Sequence, residues 1–162
     1  MNCAAGAAES AGTQEDMKLK TEILGIAFDN LTREEAAQRG GQMLREDAFH
    51  YVVTPNPEFI LASEKDDAFR TVLNGADMVL PDGIGVVYSA KILGTPLPER
   101  VPGIEFAGKM LETLNEMGGR LFLLGAKPGV AEKAGENILP GSPTSCCAAL
   151  RTAISRTRRT SS

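Results

Sequence analysis

The sequence predicts an α/β domain with a mainly parallel sheet, and three observations support this prediction. Short apolar segments typical of buried strands alternate with longer segments whose apolar residues recur at helical spacing. Loops rich in glycine, proline, asparagine and aspartate separate these segments. The chain has 162 residues, 43% of them hydrophobic, which is enough for one domain with a core. Because strands separated by helices pair in parallel, we expect a doubly wound sheet with helices on both faces.

The first half of the domain is predicted to contain two strands and the helices that follow them. Residues 22–28 are the first strand candidate. The sequence from Thr32 to Glu35 fits a capping box and begins a helix that ends near Arg45. Residues 49–53 are the second strand candidate, and the pattern over residues 58–73 is helical, in one or two pieces.

The second half is predicted to contain two more strands and three more helices. Residues 76–80 form the third strand candidate, followed by a helix over about residues 84–93. After a proline-rich loop, apolar residues recur every three or four positions over residues 104–117, which indicates another helix. Residues 120–124 are the fourth strand candidate, and a helix over about residues 130–138 follows.

The two ends of the chain differ in composition from the predicted domain, which covers residues 18–139. Residues 1–17 are small and polar, and we expect them to be disordered. Residues 140–162 contain no acidic residue and are rich in serine, threonine and arginine, so we expect an atypical, disordered tail. A fifth strand and helix would be expected here. The prediction is therefore a domain truncated at its C-terminus.

Composition and charge exclude several classes of function. The net charge is −4, which gives the chain as a whole no electrostatic attraction to nucleic acid. His50 is the single histidine, so neither a His-based triad nor a multi-His metal site is predicted. The cysteines show no metal-ligand spacing, and we expect reduced thiols. No apolar run approaches the roughly 18 residues of a membrane span, so we expect a cytoplasmic protein.

Polar and glycine-rich loops follow three of the predicted strands. They contain Thr54 and Asn56 after the second strand, Asp82, Gly83 and Gly85 after the third, and Gly125, Lys127 and Gly129 after the fourth. Because the carboxyl ends of parallel strands share one edge of a sheet, we expect these loops to line one cleft.

Each candidate residue has a functional and a purely structural interpretation, and the local sequence leaves both open. Asp82 suits a general base but also suits the N-cap of the following helix. Thr54 and Asn56 can bind sugar or base edges, or Asn56 can bond its own backbone in a turn. Arg100 can bind a phosphate or remain a solvated surface residue, and the same holds for Lys127. The glycines beside Asp82 would let a ligand approach closely.

Four segments that stand in a fixed order resemble the WecG/TagA/CpsF glycosyltransferases, glycosyltransferase family 26. They read T-P-N-P-E-F-I-L-A, A-D-M-V-L-P-D-G-I-G-V-V, P-L-P-E-R-V-P-G and F-L-L-G-A-K-P-G-V-A-E-K-A, and the resemblance covers about residues 22–138. It implies a Rossmann-like fold and an inverting, metal-independent transferase without a cofactor. Such enzymes move N-acetylmannosamine, or a related sugar, from a UDP-sugar to undecaprenyl-diphosphate-linked GlcNAc in wall teichoic acid or other surface polysaccharide synthesis.

The resemblance also implies a role for each candidate residue. Asp82, in P-D-G, would be the base that deprotonates the acceptor hydroxyl, and Thr54 and Asn56, in T-P-N, would lie in the active site. Arg100, in P-E-R-V, would lie near the donor diphosphate. The G-A-K-P-G loop, with Lys127, would help to bind the nucleotide. Expected partners are the UDP-sugar and the lipid-linked acceptor, with no nucleic acid. Peripheral contact with the inner face of the cell membrane and a homo-oligomer remain open.

Two alternatives to an active transferase remain open from the sequence. A dinucleotide-dependent oxidoreductase would have a similar sheet, but the residues after the first strand candidate, D-N-L-T, lack the glycine-rich turn that approaches a pyrophosphate. An inactive fragment that binds a sugar nucleotide without turnover is the other alternative.

Overall fold

The computed structural model describes residues 20–125 and 127–138, which contain four strands and six helices. The predicted disordered segment 1–17 and tail 140–162 lie outside the described residues. The elements are β1 (Lys20–Ile23), β2 (Ile26–Asp29), α1 (Arg33–Met43), β3 (Val52–Val53), α2 (Pro57–Ser63), α3 (Asp67–Asn74), β4 (Met78–Val79), α4 (Ile84–Ile92), α5 (Gly103–Glu116) and α6 (Val130–Ile138). They divide into two compact units, the first ending at Ala107 and the second beginning at Gly108.

β1 and β2 form an antiparallel hairpin, where the sequence predicts a single strand over residues 22–28. Ile23 lies opposite Ile26 at the end of the hairpin. Leu24 and Gly25 form the turn, with φ angles of 49° and 80°. Two consecutive residues with positive φ are what a tight two-residue hairpin requires, and Asn-Gly or Asp-Gly usually supplies them. The single-strand prediction is wrong because Leu-Gly gives no such signal.

β3 and β4 pair in parallel, as predicted for the second and third strand candidates, although both strands are shorter than predicted. Val52 lies opposite Met78 and Val53 opposite Val79. Backbone hydrogen bonds continue the pairing beyond the strands, since the Leu80 amide donates to the Val53 carbonyl at 2.9 Å. The α/β class is therefore confirmed. The described strands form two small sheets of two strands each, one antiparallel and one parallel.

Asp29, at the end of β2, connects the hairpin to the parallel pair. The residue is 1% exposed, and its Oδ2 accepts a hydrogen bond from the Val79 amide at 2.8 Å. Successive amides of a strand point to opposite sides. The Val79 amide thus points away from β3. It donates to the Asp29 carboxylate, which takes the place of the carbonyl that a neighbouring strand would provide on this side. Arg39 and Lys20 lie 3.3 and 3.6 Å from the Asp29 carboxylate and balance its charge.

Helices α1 and α2 begin within one residue of their predicted starts, and their caps explain why. The Thr32 side chain accepts from the Glu35 amide, and the Glu35 carboxylate accepts from the Thr32 amide at 2.7 Å, so the predicted capping box is confirmed. The helical pattern over residues 58–73 resolves into α2 and α3, because Asp66 caps a second helix. Buried apolar residues from both sheets and from the helices form the core, chiefly Ile26, Phe28, Met78, Val79, Leu80, Val86, Ala90 and Val101.

His50 lies just before β3 between two carboxylates. Its Nδ1 is 3.1 Å from Asp77 Oδ1 and its Nε2 is 2.8 Å from Glu46 Oε2. Both ring nitrogens can donate only when the ring is charged. The hydrogen bond to Asp77, aided by Glu46, raises the pKa of His50 above the ordinary 6.5. The Tyr51 amide, together with His50, lowers the pKa of Asp77.

The second unit contains the end of α5 and all of α6. Both helices agree with the predictions for residues 104–117 and 130–138. The predicted strand over residues 120–124 is wrong, since these described residues adopt no regular strand. Phe122 and Leu124 are 53% and 68% exposed, so this apolar segment is not buried as a central strand would be.

Candidate functional site

The candidate site lies where three chain segments of the first unit meet beyond the ends of β3 and β4. The Asp82 amide donates to the Pro55 carbonyl at 3.3 Å, which places Asp82 beside the T-P-N segment. The Val101 amide donates to the Pro81 carbonyl at 3.0 Å, which places the P-E-R-V segment on the other side. Two loops that the sequence predicts at one sheet edge, and the arginine-bearing loop, are therefore neighbours.

Asp82 is half-buried, and one of its carboxylate oxygens is held in place. Oδ2 accepts a hydrogen bond from the Gly103 amide, at the first residue of α5, at 3.1 Å. Within the described residues, Oδ1 has no hydrogen-bond partner. The N-cap of α4 is Gly83, without a side-chain cap, so the alternative in which Asp82 caps the following helix is wrong. A carboxylate with one anchored and one unpaired oxygen can accept a proton at a fixed position.

Thr54 lies against Gly103, the residue whose amide binds Asp82. A Cβ atom at Gly103 would lie only 2.8 Å from Thr54 Oγ1 and 3.3 Å from Thr54 Cβ. Glycine is therefore the residue that lets Thr54 approach the start of α5 while Asp82 binds its amide. Thr54 as a whole is partly exposed.

Asn56 caps α2, a structural role that differs from the backbone-bonded turn considered from the sequence. Its Oδ1 accepts from the Phe59 amide at 3.1 Å, and Pro57 occupies the first helical position, where the missing N–H costs nothing. Its Nδ2 makes no hydrogen bond to the part of the chain that the structure describes. The cap thus fixes the side chain and leaves its amide nitrogen available as a donor.

Gly83 and Gly85 leave room for the side chain of Pro57, the first residue of α2. A Cβ at Gly83 would lie 3.3 Å from Pro57 Cδ, and one at Gly85 would lie 3.1 Å from Pro57 Cγ. Gly83 also has a φ of 129°, which side chains of L-residues rarely tolerate. These glycines therefore serve the packing of α2 against α4. That they also admit a ligand remains a prediction.

Arg100 has an exposed side chain that forms no ion pair within the described residues. Its carbonyl accepts a hydrogen bond from Arg33 Nε at 3.1 Å. Arg33 also forms ion pairs with Glu99 and Glu105, which lie on either side of Arg100 in the sequence. Sequence reasoning missed Arg33 and Glu99, because Arg33 is 66 residues from Glu99 along the chain and no local pattern connects them.

The G-A-K-P-G loop belongs to the second unit, at the start of α6. Gly125 and Gly129 both have positive φ, 104° and 86°, which explains the two glycines. Lys127 is exposed, and its carbonyl accepts from the Val130 amide at 3.1 Å. That this loop joins the nucleotide site remains a prediction.

The described residues contain neither a metal-binding cluster nor a membrane-spanning helix. Across residues 20–125 and 127–138, no histidine, cysteine, aspartate and glutamate side chains gather in a group of three that suits a metal ion. Within the same ranges, no helix combines the length and apolar content needed to cross a membrane.

Asp82 is a fixed carboxylate beyond the ends of parallel strands, which is where open α/β sheets generally bind their ligands. The sequence profile of the Glycosyl transferase WecG/TagA/CpsF family matches residues 21–153, and the chain belongs to this family. The resemblance carried by the four segments is thereby confirmed. The match extends to residue 153, beyond Ile138, where the recognisable motifs end.

Curated relatives carry a more specific name. The chain is 32% identical over 117 residues to the N-acetylglucosaminyldiphosphoundecaprenol N-acetyl-beta-D-mannosaminyltransferase of Staphylococcus aureus strain NCTC 8325 / PS 47, and equally to those of strains COL and MRSA252. Each alignment covers 71% of this chain and 46% of the relative. The chain therefore spans about half the length of the curated relatives that it matches.

Proposed function

We propose that this chain is a glycosyltransferase that moves N-acetylmannosamine, or a related sugar, from a UDP-sugar to a hydroxyl of undecaprenyl-diphosphate-linked GlcNAc. Family membership and the names of the relatives support the transferase class and the lipid-linked acceptor. The structural observation that carries the proposal is the Asp82 carboxylate, with Oδ2 bound to the Gly103 amide and Oδ1 unpaired within the described residues. The reaction would serve cell-wall or surface polysaccharide synthesis.

The proposed reaction is a single displacement with inversion at the anomeric carbon. Asp82 Oδ1 takes the proton of the acceptor hydroxyl as its oxygen attacks the anomeric carbon. The new glycosidic bond forms while the bond to the UDP oxygen breaks, and UDP leaves with the bonding electron pair. Arg100, whose guanidinium is exposed and without an ion pair among the described residues, offsets the charge that develops on the diphosphate. In this scheme the cation is an arginine, and no metal is required.

The other candidate residues orient the substrates in this proposal. The Thr54 hydroxyl and the Asn56 Nδ2 group have no hydrogen-bond partner within the described residues and suit hydrogen bonds to sugar oxygens. Gly125, Lys127 and Gly129 contribute to binding of the nucleotide in this proposal. Because the acceptor is anchored by a polyprenyl chain, the protein works in peripheral contact with the inner face of the cell membrane, and self-association is compatible with this.

A transfer assay tests the proposal directly. UDP-N-acetylmannosamine and UDP-GlcNAc are each supplied with a water-soluble GlcNAc-diphosphate-lipid analogue, and product and free UDP are quantified. We expect transfer that depends on the acceptor and is faster with the N-acetylmannosamine donor. Acceptor-independent release of UDP, or equal rates with both donors, would contradict the proposed specificity.

A non-catalytic protein that binds a sugar nucleotide is the second candidate. Calorimetric UDP binding without any transfer would support this candidate. Binding of NAD instead of UDP would favour the dinucleotide-dependent oxidoreductase.

A further inference from the structure

Arg33, the first residue of α1, forms a set of contacts with the loop that carries Arg100. Its Nε donates to the Arg100 carbonyl at 3.1 Å and lies 3.3 Å from Glu99 Oε2. Its Nη1 donates to Glu105 Oε2 at 2.8 Å. In return, Glu99 Oε1 accepts from the Arg33 backbone amide at 2.7 Å. All four residues belong to the first unit.

The geometry of these contacts requires an arginine. A guanidinium presents several N–H donors in one plane and can bind a carbonyl and two carboxylates together. A lysine ammonium carries charge but lacks this planar arrangement of donors. The Glu99 carboxylate also satisfies one of the amides that a helix leaves unpaired in its first turn. The contacts therefore connect the loop to a helix start that the Thr32 capping box already fixes.

The loop that carries Arg100 is held from the other side by Pro81, in the segment between β4 and Asp82. The Val101 amide, next to Arg100, donates to the Pro81 carbonyl at 3.0 Å. Arg100 thus has its backbone fixed between α1 and the chain segment before Asp82, while its own side chain is exposed. The fixed backbone position of Arg100 limits the region that its guanidinium can reach, and therefore where it can bind an anion.

We propose that Arg33 is a positioning residue that holds Arg100 in place for the donor diphosphate. Arg33 acts through the Arg100 backbone and through Glu99 and Glu105, whose carboxylates engage its side chain. This inference rests on the proposed function, in which Arg100 binds the diphosphate of a UDP-sugar.

UDP binding to the Arg33→Met variant tests the inference, because methionine keeps the apolar stem and removes the donors. We expect calorimetric UDP affinity to fall about 10-fold, the scale of lost hydrogen bonds to charged groups. KM for the UDP-sugar should rise by a similar factor while kcat changes less than about threefold, since the acceptor base is untouched. Arg33→Lys should bind UDP more tightly than Arg33→Met but less tightly than the unmodified chain. If Arg33→Met fails to fold, the UDP affinity of Arg33→Lys is compared with that of the unmodified chain instead.

Arg45→Met is the matched control. Arg45 lies just beyond the other end of α1, and its guanidinium donates to the Gly41 carbonyl of the same helix. We expect this variant to bind UDP with the same affinity as the unmodified chain. A thermal melt of each variant verifies that the protein is folded.

A double-mutant cycle separates positioning from general stability. If Arg33 acts through Arg100, Arg33→Met should weaken UDP binding much less in an Arg100→Ala background than in the unmodified chain. An equal loss in both backgrounds, or unchanged UDP affinity in folded Arg33→Met, would overturn this inference alone. Failure of the unmodified chain to bind UDP would overturn the proposed function, and the inference with it.

Discussion

The Asp29→Ala substitution removes a buried carboxylate that joins the hairpin to the parallel pair. Three contacts are lost: the 2.8 Å hydrogen bond from the Val79 amide and the ion pairs with Arg39 and Lys20. A buried amide without a partner costs about 1–3 kcal/mol. Loss of one partner of a buried ion pair costs about 3–5 kcal/mol when the other charge stays buried. The side chains of Arg39 and Lys20 are 42% and 37% exposed and can reach water, so the second cost is reduced.

We therefore expect Asp29→Ala to lower the free energy of unfolding by about 2–4 kcal/mol. Urea denaturation followed by circular dichroism measures this loss. Asp29→Asn should lose less, because its amide oxygen can still accept from the Val79 amide. Asp67→Ala is the matched control, since the Asp67 side chain is 94% exposed and pairs with Arg70 across 3.6 Å. It should change stability by less than about 0.5 kcal/mol. Equal effects of the two alanine variants would refute the assignment of Asp29 as a buried junction.

Three further predictions concern the packing, capping and titration of individual residues. Gly103→Ala should cost about 1–3 kcal/mol because its Cβ would lie 2.8 Å from Thr54 Oγ1. Gly108→Ala, with nothing within 4 Å, should be neutral or stabilising in the same urea titration. Asn56→Ala should cost about 1 kcal/mol through the lost α2 cap while Asn56→Asp should not, and equal midpoints for both would contradict the cap. The raised pKa of His50 predicts stability that is present below pH 6.5 and is lost as pH rises through that raised value. His50→Gln should abolish this alkaline loss, and an unchanged pH profile of the urea midpoint would contradict it.

Features with a local cause could be predicted from the sequence. The Thr32 capping box is a contact between residues three positions apart, so its pattern is visible in the chain, and α1 begins at Arg33 as expected. The parallel pairing of β3 and β4 followed from the alternation of strands and helices. The adjacency of the T-P-N and P-D-G segments followed from that pairing. These predictions needed only the spacing of residues and the alternation of strands and helices along the chain.

Features that depend on distant partners could not be predicted in this way. Asp82 binds the amide of Gly103 rather than capping α4, and this depends on where α5 begins in space. Arg33 contacts Glu99 and Glu105 through the tertiary fold, and no motif marks such a contact. The hairpin was missed because an apolar run with Leu-Gly inside it looks like one strand, and the strand at residues 120–124 was predicted from apolar character alone.

The central claim, that Asp82 accepts the proton of the acceptor hydroxyl, is tested most directly by the Asp82→Asn variant. Asparagine has the shape of aspartate and can still accept from the Gly103 amide, so the fold and the UDP affinity should be retained. Transfer from UDP-N-acetylmannosamine should fall by at least about 100-fold, the scale of a lost general base. Asp67→Asn, at an exposed position, should transfer at the unmodified rate. Undiminished turnover in folded Asp82→Asn would contradict the account and remove Asp82 from the mechanism.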